Sequence, residues 1–461
     1  MLPYASPETS AAQDVPAAAP PGTAPAAGPL PRFHRELRRA APALLGYAAV
    51  RLLGIVVLAR WAHAKGHGLW PQLAHQWDSR WYLGIADHGY DHVLTGARDT
   101  CNLAFFPLYP VLVKAVAGVT PGSRATIGLL LSLAASLVAA WGVFAVGDHL
   151  HGRRVGILLA VLWGATPVAL VQSMGYTESL FTALTAWSLW AVLTGRWVWA
   201  GSLSLLAGLT RPTGVAVAAA VMVSAVAALW ARRHADPDAM PMWARRHAGP
   251  DAAGPSLGRR AAQPAVAADR PRAPARPYAQ PCARPCAWPC DTGGTRLRVI
   301  LGAALAPLGW LGYLAWVGHR LGRWDGYFAV QKTWTNELDW GIRTLRDIRG
   351  NLVYQSHPQL FLVVVSVTLI AAVVLYALCL ADRQPLPLLV FTGVLLAIVL
   401  GSGGVYFPRA RFLLPAFPLL LPIAAAVAGA TRRTKVLVLG GAALSSAYFG
   451  AYMALVWPSA P

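Results

Sequence analysis

Charged residues are scarce in this chain. Only 13% of its 461 residues are Asp, Glu, Lys or Arg, while 56% are hydrophobic; an ordinary soluble domain carries about 25% charged residues. That composition argues against a water-soluble fold, because repeated apolar runs are long enough to cross about 30 Å of hydrocarbon. The runs lack period-two alternation, which excludes a closed strand barrel and leaves helices as the spanning element. Acidic residues are the scarcest charge: 19 Asp and Glu against 39 Lys and Arg give a formal charge of +20. In a soluble protein such an excess points to nucleic acid. Here the basic residues sit in short turns between apolar runs and in one long insert, as the positive-inside rule requires, so nucleic acid is set aside as a partner. No CxxC pair exists. Cys101 and Cys379 are isolated, and Cys282, Cys286 and Cys290 recur in PCARPCAWPC, a spacing that builds neither a zinc site nor a disulfide framework. The Ala/Pro-rich start, with Glu8 and Asp14, lacks the basic-then-apolar order of a cleaved signal peptide.

What is present reads as an all-α, polytopic transmembrane bundle of about 11 spans with a large first external loop. Residues 1–41 are expected to be a disordered cytoplasmic tail, 42–231 an N-terminal membrane module containing the external loop 63–123, 232–296 a disordered cytoplasmic insert, and 297–461 a C-terminal membrane module. The expected spans are 42–61, 124–147, 154–172, 177–194, 197–210, 213–231, 297–320, 358–380, 386–402, 411–429 and 434–456. The apolar stretch 103–119 holds two prolines and Lys114; reading it as interfacial rather than spanning keeps every basic turn on one side. The insert is rich in Pro, Ala and Arg and repeats ARRHADPDA as ARRHAGPDA, which marks low-complexity sequence without a core of its own. Arg51, near the middle of the first span, is expected to face a polar cavity or a partner.

The stretch from His75 to Pro110 is too polar to cross a bilayer and concentrates the chemistry. Asp78 stands in it between Trp77 and Trp81. Glu178 begins a span within QSMGYTESLF, Arg211 sits at a helix break before Pro212, and Arg409 and Arg411 precede the 411–429 span. Carboxylates at one depth with arginines beside them suit a reaction in which a hydroxyl loses a proton while a phosphate leaves, since the guanidinium fork binds phosphate oxygens bidentately. Other readings stand beside these: Asp78 and Glu178 as helix caps, Arg409 and Arg411 as interfacial anchors. Asp87/Asp91 and His88/His92 repeat at i,i+4 as metal ligands on a helix would, but Gly89 interrupts them and no HExxH frame exists.

Trp77-Asp78, Ile85-Ala86, His88-Gly89-Tyr90, Asn102, Ala104-Phe105-Phe106-Pro107 and Pro110 together resemble the signature of the GPI mannosyltransferase II (PIG-V) family. A second block, Met174-Gly175-Tyr176-Thr177-Glu178-Ser179-Leu180-Phe181, followed by Arg211 and Gly214, resembles it in the same order and spacing. The likeness spans residues 42–231 and continues more loosely through RFLLPAFPLLLP. It implies a GT-C-like multispanning glycosyltransferase of the cell membrane, with a cytoplasmic N-terminus and an extracytoplasmic site. It implies a polyprenyl-phosphate-mannose donor, inversion at the sugar, and Asp78 as general base. Trp77, Arg51, His88, Tyr90, Asn102, Tyr176, Glu178, Arg211, Arg409 and Arg411 become candidate substrate-binding residues. Arginines that neutralise the phosphate make a metal cofactor unnecessary, and a divalent ion on the aspartate is compatible but not indicated. The Ala/Arg/Pro bias fits a high-GC, actinobacterial genome, where the family's acceptor is not expected to carry over. Arg211-Pro212-Thr213-Gly214 also departs from the family pattern between its Arg and Gly. The competing function is a flippase or transporter for a lipid-linked sugar, against which no internal inverted repeat is visible.

Overall fold

A computed structural model of the chain describes residues 29–94, 101–234 and 294–459. The tail expected at 1–41 lies outside the described residues as far as residue 28, as do the body of the 232–296 insert and its three cysteines. The described residues are helical, and the one β-bridge among them joins Leu338 to Ser402. From Ala40 onward they form one compact unit.

Among the described residues six helices are long and apolar enough to cross a bilayer, including Arg124–His151, Leu360–Ala381 and Arg432–Leu455, so this is a multi-pass membrane protein. Several of the expected spans are shorter or broken. The helix α1 runs Pro29–Ala64, starting within the segment read as tail, because Arg35, Glu36 and Leu37 are good helix formers that extend the apolar run. The expected span 154–172 ends as a helix at Gly164 and resumes as a 3-10 turn at Ala169–Ser173. Pro167 has no N–H to continue the ladder and disfavours the helical conformation at Thr166. The expected span 411–429 is likewise divided into Arg409–Phe412, a 3-10 turn Phe417–Leu420, and Leu421–Gly429, with Pro415 and Pro418 at the breaks.

The loop 63–123 is itself helical. After α1 come α2 (Leu69–Ala74), α3 (Asp78–His88) and α4 (Leu108–Val119). The helix α3 buries Tyr82, Ile85 and Ala86, an i, i+3, i+4 stripe, and stops where Gly89 takes φ +81°. It packs on α4, whose 12 residues reach only about 18 Å at 1.5 Å per residue, too short to cross. Next in order are α5 (Arg124–His151), α6 (Arg153–Gly164), α7 (Glu178–Leu193), α8 (Trp197–Gly208), α9 (Gly214–His234) and α10 (Gly294–Leu305). Helix α5 packs on α6 and α7, and α8 on α7, α9 and α10.

Small residues bring α8 and α10 together. A Cβ at Gly201 would overlap the Gly302 backbone, and one at Gly302 would overlap the carbonyl of Trp197. Bilayer helices gain from such approach because lipid tails leave no hydrophobic force between them. Gly201→Leu is therefore expected to destabilise the detergent-purified protein by about 1–3 kcal/mol, as overpacking does. Gly440→Leu, where nothing lies within 4 Å of an added Cβ, should leave the melting temperature unchanged. Equal behaviour of the two variants would rule out the close packing.

Candidate active site

Trp77 precedes α3 with φ +50°, ψ −117°, a conformation that is costly for a side chain carrying a Cβ and is found where a site over-determines the backbone. It turns Asp78 into the first residue of α3. The Asp78 N–H donates to the Tyr176 hydroxyl at 3.2 Å, and the Tyr176 carbonyl in turn accepts from Ser132 Oγ at 2.8 Å. Gly175 N–H donates to the Leu73 carbonyl at 2.9 Å, tying this turn to α2. Two separate stretches, 73–78 and 175–178, are so held in one register.

Four charges meet there. Asp78 Oδ2 lies 2.7 Å from Arg411 Nη2. Arg411 Nε is 3.2 Å from Glu178 Oε1, and Arg211 Nη1 is 2.6 Å from the same oxygen. Arg211 Nη1 also donates to Thr177 Oγ1 at 3.0 Å, and the Tyr82 hydroxyl is 3.1 Å from that oxygen. Phe412 lies under both guanidiniums, 5.4 Å from that of Arg211 and 5.3 Å from that of Arg411, a cation–π arrangement that holds them side by side. The two carboxylates differ in access. The Asp78 side chain is 19% exposed and that of Glu178 1%, so Asp78 can exchange a proton with an entering molecule while Glu178 organises the arginines. Among the described residues Glu178 Oε2 and Arg411 Nη1 are buried without a hydrogen-bond partner.

Chain breaks aim these groups. Arg211 occupies the turn between α8 and α9, made tight by Gly214, where a Cβ would come within 2.6 Å of the Gly208 Cα. The turn is pinned by the Leu108 N–H, which donates to the Leu209 carbonyl at 2.9 Å. Arg411 sits on the one-turn helix Arg409–Phe412, between Pro408 and Pro415. Asp78, Arg211 and Arg411 line a cavity of about 350 Å³, walled by Phe105, Phe407 and Phe412. Burial first, and then the Asp78 charge, pushes the Tyr82 hydroxyl well above the usual phenol range. Tyr82 thus stays protonated near neutral pH and can only donate or accept as a neutral group.

The structure brings Asp78, Tyr176, Glu178, Arg211 and Arg411 together, although Tyr176 is fully buried and supports Asp78 from below instead of facing the cavity; Trp77 lines a neighbouring cleft instead. His88, Tyr90 and Asn102 line the same cleft. Asn102 clamps the end of α3: its Nδ2 donates to the Gly89 carbonyl at 3.1 Å and its Oδ1 accepts the Asp91 N–H at 2.9 Å. Tyr90 donates to the Phe105 carbonyl at 2.9 Å. Asp87 pairs with Arg124, and Asp91 Oδ2 accepts the Asn102 N–H at 2.8 Å, so both acids of the i,i+4 pattern are engaged by other groups.

Two expected site residues are elsewhere. Arg51 donates to the Gly164 carbonyl at 2.9 Å and to Ser173 Oγ at 3.4 Å. It satisfies a carbonyl left without its helical partner where α6 breaks. Arg409 bonds Thr344 Oγ1 and the Ser402 and Gly404 carbonyls, closing the 401–406 loop onto the helix Ile342–Arg349. Tyr82, Thr177, Trp81 and Phe412 were not among the site residues expected from the sequence. Trp81 and Tyr82 stand three and four residues after Asp78, the spacing that shares a helix face, and that periodicity was the available signal.

No family model matches the chain. Over 153 residues it is 29% identical to the GPI alpha-1,6-mannosyltransferase 2 of Rattus norvegicus, covering 30% of this chain and 29% of that protein. The Mus musculus protein of the same name is 30% identical over 152 residues. The chain thus spans less than a third of the curated relatives it matches. Among solved structures it is similar to the archaeal oligosaccharyltransferase AglB from Archaeoglobus fulgidus, in complex with an inhibitory peptide and a dolichol-phosphate. That similarity has a TM-score of 0.43 at 12% identity over 90% of this chain and 56% of the other.

Proposed function

We propose that this protein is an integral-membrane mannosyltransferase of GT-C type, transferring mannose from a polyprenyl-phosphate donor to an acceptor hydroxyl, with inversion, on the extracytoplasmic side of the cell membrane. The observation that carries the reading is one partly exposed carboxylate, Asp78, opening onto the same aromatic-walled cavity as two buried arginines. The relatives named as mannosyltransferases support the sugar, and paired arginines beside an aromatic wall suit a lipid-linked phosphate.

In this reading Asp78 accepts the acceptor's hydroxyl proton as that oxygen attacks the anomeric carbon. The bond from that carbon to the phosphate oxygen breaks, and the polyprenyl phosphate leaves with the electron pair. Arg411 and Arg211 meet the charge that develops on it, which is where preorganised donors contribute most. The unpartnered Nη1 of Arg411 is a ready donor to such an oxygen. Phosphate contact also competes for Arg411, loosening its hold on Asp78 as the base is needed. The phenylalanine walls suit the first isoprene units, which reach the site laterally from the lipid.

The test is whether protein purified in detergent converts radiolabelled polyprenyl-phosphate mannose and a membrane extract into a new mannosidic product. A flippase moves its substrate unchanged and forms none. Absence of product, with lipid-linked sugar crossing liposome membranes instead, would replace the enzyme with a transporter.

A further inference from the structure

Asp78 is reached from a second side. A cleft of about 860 Å³ runs along α3, and it shares only Asp78, Trp81 and Trp334 with the arginine-flanked cavity. Those two indoles form the partition: they meet edge to face at 5.3 Å, and Trp81 stacks on Phe105 at 5.4 Å. Beyond it the cleft presents Arg80, His88 and Asp91, and it shares Arg80 and Gly84 with an outer hollow lined by His75 and Arg124. We infer that this cleft seats the acceptor, a saccharide whose ring lies against the indole wall with its reacting hydroxyl toward Asp78. The inference rests on the glycosyl-transfer reading above.

Three observations converge on it. Inverting displacement requires the nucleophile and the leaving group on opposite faces of the anomeric carbon, and two cavities meeting at one carboxylate supply two such approaches. Their linings divide the chemistry. The arginines that suit a phosphate face the aromatic cavity, while this cleft pairs hydrogen-bonding side chains with indole surfaces, the combination that grips a polyhydroxylated ring by its edges and its apolar face. The third observation is Gly84. A helix interior disfavours glycine, and here no packing demands it, since a Cβ at Gly84 would meet nothing within 4 Å. Yet Gly84 lies on the floor of both the cleft and the outer hollow. Its missing side chain keeps the path open.

Gly84→Trp fills that path, which neither Arg211 nor Arg411 lines. Wild type, Gly84→Trp and a remote control, Gly440→Trp, are compared by two readouts. One is transfer of label from polyprenyl-phosphate mannose into membrane lipids and glycans. The other is thermal stabilisation of the purified protein by decaprenyl phosphate, which reports both folding and the donor cavity. Expected is at least a tenfold loss of transfer in Gly84→Trp, with decaprenyl phosphate stabilisation kept, and no change in Gly440→Trp. Wild-type transfer by Gly84→Trp would overturn the assignment, as would loss of stabilisation together with transfer, which would merge the cleft with the donor site. If wild type neither transfers mannose nor responds to decaprenyl phosphate, it is the glycosyl-transfer reading that falls, and the acceptor assignment with it.

Discussion

Asp78→Asn is expected to lower mannose transfer by ~10²–10⁴, the range for loss of a general base, while the protein melts close to the wild-type temperature. The amide is isosteric, and its oxygen can still accept from Arg411 Nη2, which sits 2.7 Å from Asp78 Oδ2. Arg411 also keeps its contact with Glu178. The backbone bond from Asp78 to Tyr176 does not involve the side chain. What the amide cannot do is take up a proton. A purely structural role for Asp78 would make the melting temperature and the activity fall together, and transfer at wild-type rates would remove Asp78 from the chemistry. The paired measurement is initial rate at saturating donor and the melting curve of the same preparation.

Arg411→Met should fail on both counts. It leaves Asp78 without its ion partner and Glu178 with only Arg211, and breaking a buried pair from one side costs about 3–5 kcal/mol. It also removes a guanidinium expected at the departing phosphate, so decaprenyl phosphate should no longer stabilise the protein. The double variant Arg411→Met, Glu178→Gln separates the two effects. Neutralising Glu178 returns the cluster to one carboxylate, Asp78, against one guanidinium, Arg211, a net charge of zero in place of the −1 left by Arg411→Met, so stability should recover in part, a coupling of the kind seen between residues in one network. Donor binding should not recover. If Arg411→Met alone still binds decaprenyl phosphate as wild type does, Arg211 carries the phosphate by itself and Arg411 serves only to hold Asp78.

The members of this cluster were legible in the sequence because ionised groups are rare in so apolar a chain. Asp78, Glu178, Arg211 and Arg411 stand out individually; their meeting does not. It depends on a strained residue at Trp77, a turn at 209–213 and a proline-bounded helical turn at 409–412, none of which has a periodic signature. Arg409 and Arg411 looked equivalent in sequence. Two residues apart on a helical turn they point to nearly opposite sides at 3.6 residues per turn, so only one can face Asp78. Arg51 has the partner its place in a span demands, though a different one from the substrate. An arginine inside a span demands a partner, but sequence does not say whether that partner is a ligand or a carbonyl freed by a break at Gly164. The membrane-helix character followed directly from composition, whereas span lengths did not, because Pro167, Pro415 and Pro418 interrupt runs that remain uniformly hydrophobic.

Glu178 bridges Arg211 and Arg411 through a single oxygen, and this sets the charge balance of the cluster: two carboxylates against two guanidiniums, a sum of zero. A neutral cluster avoids much of the penalty for holding isolated charge in a low-dielectric interior. In the proposed transfer, a phosphodiester donor adds one negative charge. When the sugar leaves, the phosphate takes on nearly a second one, just as Asp78 gives up its own by gaining a proton. The total therefore stays nearly constant through the reaction: charge is displaced from one side of Arg411 to the other and never accumulates. A single arginine standing between source and destination can follow that displacement with little rearrangement around it, which is what a preorganised site offers a developing charge.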